Sequence, residues 1–126
     1  MIFSKESYVV HADCNLPDPL CPARAGGCSS HRLYDRSGLR SGDFGPFENS
    51  EAFTLSSVLF HCQLGAPYEQ LIVHGGAIVL GHPIGCRVAR IPATLLHALR
   101  RHGARRGHAA LCHGTGGGTA LAIECR

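Results

Sequence analysis

The stretch from Arg87 onward constrains the fold most. In "RVARIPATLLHALRRHG", Val88, Ile91, Leu95, Leu96 and Leu99 recur at three- and four-residue intervals, the pattern of a helix with one apolar face. Arg100, Arg101 and His102 fill the last turn before Gly103, which suits the negative end of a helix dipole and a glycine stop. Two strand-like runs follow, "HAALCH" and "TALAIEC", joined by "GTGGG". Pro92 interrupts the helical pattern. An interior proline loses a hydrogen bond and costs about 3 kcal/mol unless the helix starts late or kinks.

The 126 residues suit one domain with a modest core. With 44% hydrophobic and 17% charged residues, the composition is that of a globular chain rather than a disordered or membrane-spanning one. The formal charge of +3 is mild and does not call for nucleic acid. The start, "MIFSKESYVVHAD", lacks the apolar region and small-residue cleavage site of a secretory signal. Seven cysteines with no such signal predict reduced thiols in an intracellular, cytoplasmic protein.

Upstream, "SYVVHA" reads as a short strand, and "NLPDPLCPARAGGCSS" is rich in structure breakers. Residues 1–28 are therefore expected to be poorly structured, with a domain over 29–126. Cys14, Cys21 and Cys28 recur every seven residues, with His31 after them. A zinc site would need closer ligand pairs and fewer prolines, so unrelated loop thiols are expected and no metal. "SSHRLYDRSGL" predicts a helix capped by Ser29 or Ser30 and stopped at Gly38. "DFGPFE" reads as a brief extended segment. "SEAFTLSSVLFHCQLG" predicts a second helix, capped by Ser50 and ended by Gly65, with Phe53, Val58, Leu59 and Cys62 on its apolar face. Residues 71–73 and 77–80 read as short β-like runs around Gly75-Gly76.

Three places could carry chemistry. His82, in "GGAIVLGHPIG", sits in a glycine-flanked loop leading toward the long helix. A helix N-terminus disfavours imidazolium, so His82 could stay neutral and act as a base; it could equally be a surface loop histidine. Cys112 ends a strand-like run and opens "HGTGGG", where free backbone N–H groups could bind an oxyanion; a buried structural cysteine beside a glycine hairpin is the other reading. The glycines resemble part of a dinucleotide fingerprint, but no helix follows and no Gly-Lys-Ser/Thr occurs. In "FENSEAF", Glu48, Asn49, Ser50 and Glu51 could hold a water or ligand, or merely cap a helix. Arg100, Arg101, Arg105 and Arg106 read as a solvated helix cap, without interleaved aromatics for single-strand binding.

The order of these blocks resembles the C-terminal half of the thiolase family. Gly75 to Pro83 carries the family's Gly-Gly-Ala-Ile-x-x-Gly-His-Pro. Cys112, Gly114, Gly116 and Gly118 carry Cys-x-Gly-x-Gly-x-Gly, and "SGLRSGDFGPFENSEAF" is similar to the Asn-Glu-Ala-Phe segment in register. The resemblance covers residues 29–126. It implies an α/β fold, a single half-domain with a mixed β-sheet covered by helices. It also implies acyl transfer between acyl-CoA and CoA, with the coenzyme A thioester as substrate and no other cofactor. His82 would then activate a nucleophilic cysteine and help bind the thioester oxygen. Cys112 would be the general acid/base, Gly114 an oxyanion donor and Ser50 a substrate-side residue.

Departures accompany the match. Ser50 stands where the family holds water with Asn, and His74 replaces an asparagine before Gly-Gly. Arg87 and Val88 replace a small Ser-Gly pair, and Thr115 replaces a glycine. No recognisable version of the family's nucleophile motif surrounds Cys14, Cys21 or Cys28. The expectation is a diverged, truncated thiolase domain, inactive alone. Its expected partners are acyl-CoA or CoA and either a separate N-terminal half or further copies of itself. The alternative is a non-catalytic remnant that binds acyl-CoA or protein.

Overall fold

The structure is a computed structural model, and it describes residues 8–15 and 22–125. Its centre is a four-stranded mixed sheet in the order β1-β4-β3-β2. The strands are β1 (Tyr8–Asn15), β2 (Phe47–Asn49), β3 (Arg106–Cys112) and β4 (Gly117–Glu124). β3 and β4 form the antiparallel hairpin that the two C-terminal apolar runs predict, with Cys112 opposite Gly118. β1 adds antiparallel to β4, and β2 runs parallel to β3. The helices are α1 (Pro22–Ser37), α2 (Thr54–Leu64), the single turn α3 (Ala77–Leu80) and α4 (Arg87–His102).

Side chains alternate across the sheet, so β3 serves two cores at once. Ala110 packs with Leu33, Tyr34, Phe44, Phe47, Phe60 and Leu64 beneath α1 and α2. Ala109 and Leu111 pack with Ile91, Leu95, Leu96 and Leu99 of α4 on the other face. This is the α/β arrangement of a mixed sheet covered by helices. α1 lies so close to β4 that a Cβ at Gly118 would collide with the carbonyl of Ala25. Glycine is what permits that approach.

The glycine stops appear where the sequence places them. Gly38, Gly65 and Gly103 all take positive φ at helix ends. Pro92 lies within α4, which continues through it. Val88, however, is 65% exposed and stands outside the buried stripe of Ile91, Leu95, Leu96 and Leu99.

Several expectations are corrected. Within the segment expected to be poorly structured, residues 8–15 form an edge strand and α1 begins at Pro22, a residue whose missing N–H costs nothing at a helix start. The remainder of that segment, 1–7 and 16–21 with Cys21, lies outside the described residues. Ser29 and Ser30 do not cap a helix. They are buried inside α1 and donate to the carbonyls of Ala25 and Gly26. Ser50 does not cap α2, which starts at Thr54. The inward face of α2 is Ser56, Phe60 and Leu64, whereas Phe53 and Val58 are exposed. The 71–73 run makes only an isolated parallel bridge, Phe47 with Leu71, and 77–80 is a helical turn rather than a strand. Short apolar runs carry no period long enough to separate the two. Finally, Cys14 and Cys28 are not free loop thiols but a disulfide, because β1 and α1 bring their Cα atoms within 6.1 Å.

Candidate active site

The parallel ladder between β2 and β3 carries the chain from Phe47 to Ser50, where the Ser50 N–H donates to the carbonyl of Ala110. That register sets Ser50 beside the end of β3. Its hydroxyl lies 3.1 Å from the Cys112 sulfur and also accepts the Cys112 backbone N–H at 3.4 Å. Both side chains are buried. After Cys112 the chain turns through His113–Gly116, closed by the His113 N–H to the carbonyl of Gly117 at 2.6 Å. Gly114 is exposed at the tip, and its N–H makes no hydrogen bond to any described residue.

Ser50 is followed by Glu51, held at φ 40°. The Glu51 N–H donates to Asn49 Oδ1 at 2.8 Å, and its carboxylate accepts from Ser57 and from the N–H of Ile78 in α3. Gly76 is required there, since a Cβ would run into the Glu51 carboxylate. The "NSEAF" segment thus grips the start of the "GGAIVLGHPIG" segment. The far end of that segment is gripped from α4, where Arg90 donates to the Gly81 carbonyl at 2.9 Å.

His82 follows Gly81 in the turn between α3 and α4. It is partly buried, and its Nδ1 is enclosed without a hydrogen-bond partner among the described residues. Burial, then the guanidinium groups of Arg87 and Arg90, lower its pKa below the ordinary histidine value. The sequence argument expects a neutral imidazole at this place. Its direction holds, though desolvation and cations rather than a dipole cause it.

The structure therefore brings Ser50 and Cys112 into contact. It ties the His82 loop to the same "FENSEAF" segment through Glu51 and Arg90. No hydrogen bond joins His82 directly to Cys112 or Ser50 among the described residues. Glu48, from the same cluster, is buried with Oε1 unpartnered. Burial raises its pKa to about 7, opposed by Arg90 and reinforced by Glu51. Arg90 escaped the sequence reading, because an arginine in a helix turn gives no hint of the loop carbonyl it clasps. Among the described residues, no group of three or more His, Cys, Asp or Glu side chains is placed to hold a metal ion.

A glycine-turned strand end carrying a buried thiol, fed by a Gly-His-Pro loop on a helix-covered mixed sheet, defines a class. The family model for the thiolase C-terminal domain matches residues 17–125, so the chain belongs to the thiolase C-terminal domain family. It is 52% identical over 96 residues to the acetyl-CoA acetyltransferase of Synechocystis, covering 76% of this chain and 24% of that protein. It is 43% identical over 93 residues to acetyl-CoA acetyltransferase 1 of Arabidopsis thaliana, covering 74% and 22%. The crystal structure of the Bacillus anthracis acetyl-CoA acetyltransferase superposes with a TM-score of 0.88 at 32% identity, over 94% of this chain and 30% of that one. The chain thus spans about a quarter of the length of these curated relatives. The match also begins well before residue 29.

Proposed function

We propose that this chain supplies the proton-transfer and oxyanion side of a thiolase acyl transfer, with a coenzyme A thioester as substrate and no further cofactor. The observation that carries the reading is the buried Ser50–Cys112 contact at the mouth of the glycine turn. In this reading Cys112 moves the α-carbon proton of the acyl group, and a thiol is suited to that when its proton is exchangeable. His82, kept neutral, takes the proton of a nucleophilic cysteine and then donates toward the thioester oxygen. The unengaged Gly114 N–H is a second donor to that oxygen. Ser50 holds the Cys112 side and presents its hydroxyl to substrate.

The nucleophilic cysteine comes from a separate N-terminal half, so the chain alone does not turn over. Association is supported by an apolar surface on α3 and the loop after it, where Val79, Ile84 and Val88 are 78%, 75% and 65% exposed. Further copies of the chain are the other associating partner. Neither nucleic acid nor a membrane has a role; no helix among the described residues is long and apolar enough to cross a bilayer. A CoA-dependent reaction places the work inside the cell, in the cytoplasm.

The test is acetoacetyl-CoA thiolysis by the chain alone and with the N-terminal portion of the Synechocystis relative. Turnover is expected only in the mixture, with losses of about 10²- to 10⁴-fold for His82→Ala and for Cys112→Ala. Turnover that survives both substitutions overturns the assignment. Acyl-CoA binding without turnover in the mixture favours instead a non-catalytic acyl-CoA-binding remnant, for which the bulky Arg87 beside the His82 loop speaks.

A further inference from the structure

The Cys14–Cys28 bridge has no part in acyl transfer, and its two sulfurs sit in different surroundings. Cys14 is 2% exposed, on the inward side of edge strand β1 and opposite Gly118. Cys28 is partly exposed on α1. It lines an open cleft of about 390 Å³ together with Arg24, His31, Arg32, Asp35 and Gln63. Two guanidinium groups face one carboxylate there, so the cleft is cationic. Arg32 is held near the bridge by donating to the carbonyl of Asp13, the residue before Cys14. An intracellular protein seldom keeps a disulfide that is not exchanged or sensed.

We propose that the Cys14–Cys28 bridge is a reversible thiol-exchange site, and that its cleft admits an anionic low-molecular-weight thiol to the sulfur of Cys28. The small thiol loses its proton to water and its thiolate attacks Cys28 Sγ. A new sulfur–sulfur bond forms to Cys28, and the bond to Cys14 breaks. Cys14 leaves as thiolate and takes up a proton. A second small thiolate then attacks the small-molecule sulfur of the mixed disulfide and releases Cys28, which is protonated in turn. Two small thiols are oxidised to one small disulfide, and the bridge is reduced to two cysteines. Attack at Cys14 is blocked, because β4 and α1 enclose that sulfur. The same register that sets Cys14 opposite Gly118 sets Gly118 opposite Cys112. Exchange at the bridge therefore releases a tie in the sheet row that holds Cys112.

The experiment treats the oxidised full chain with glutathione and, separately, with uncharged 2-mercaptoethanol. Samples are quenched by alkylation and all seven cysteines are mapped by peptide mass spectrometry. The first glutathione adduct is expected at Cys28. Raising the salt concentration, or replacing Arg24 and Arg32 together by Ala, should slow the glutathione reaction about two- to fivefold and leave the 2-mercaptoethanol rate unchanged. A first adduct at Cys14, equal effects of salt on both thiols, or a bridge inert to both overturns the proposal. The salt arm needs no variant, so it decides the matter even if the double substitution disturbs folding. Because the readout is labelling, the result is independent of whether the chain takes part in acyl transfer.

Discussion

Ser50 and Cys112, sixty-two positions apart in the chain, meet through a hydroxyl–sulfur contact of 3.1 Å at the ends of two parallel strands. The contact is fixed by the β2–β3 register rather than by either side chain, since Phe47, Glu48 and Asn49 pair in order with His108, Ala109 and Ala110. Ser50→Ala removes an acceptor of the Cys112 N–H and leaves a small void beside the thiol. Unfolding in urea should show a loss of about 1 kcal/mol. Alkylation of Cys112 by iodoacetamide should become faster, as a buried thiol gains access. An unchanged alkylation rate would mean that the hydroxyl does not shield the sulfur.

Two buried groups give the protein opposing responses to pH. Glu48 keeps its proton in the folded state up to about pH 7, against an ordinary 4.5, because burial disfavours the carboxylate. The folded form then holds a proton that the unfolded chain has released, so this contribution falls as pH rises from 4.5 to about 7. His108 is enclosed by Tyr34, Phe44, Phe47 and Phe60 with neither ring nitrogen partnered. Burial lowers its pKa from 6.5 to about 3, so its contribution is full above 6.5 and is lost as pH falls toward 3. The melting temperature should change little between about pH 5 and 6, where the two slopes oppose, and fall steeply below about pH 4. Glu48→Gln should raise stability at pH 8 by up to about 3 kcal/mol and steepen the acid limb. His108→Leu should flatten that limb.

Gly118→Ala places a methyl group against the Ala25 carbonyl of α1. Neither the strand nor the helix backbone can yield locally, so a loss of about 1–3 kcal/mol is expected in thermal or chemical denaturation. A neutral result would show that α1 stands farther from the sheet.

Pro92 leaves the Val88 carbonyl without its usual helical donor inside α4. Pro92→Ala should restore that bond and raise stability by about 1–3 kcal/mol, seen as a higher melting temperature. A drop would mean that the ring itself packs against something the helix needs.

The long-period signals were the ones legible in the sequence. The buried stripe of Ile91, Leu95, Leu96 and Leu99, its stop at Gly103 and the hairpin around Gly116 all come from local spacing, and they appear as read. The Gly-His-Pro and Cys-x-Gly-x-Gly-x-Gly blocks led to the right family. What failed was local inference over short runs. "AIVL" at 77–80 folds as one helical turn because Glu51 anchors the Ile78 N–H and Gly81 closes the turn. Ser50, a plausible helix cap by sequence, is drawn into the sheet ladder three residues short of α2.

The sequence by itself determined which residue types stand at each chemical position, and where regular elements must stop. Those are properties of side chains and of the few backbone angles that glycine and proline control. Only the tertiary structure decided which of those residues meet. The pairing of Cys14 with Cys28, the grip of Arg90 on Gly81 and the enclosure of His108 join segments distant in the chain or on separate elements. Such contacts are set by sheet register and helix packing, and a linear pattern carries no record of them.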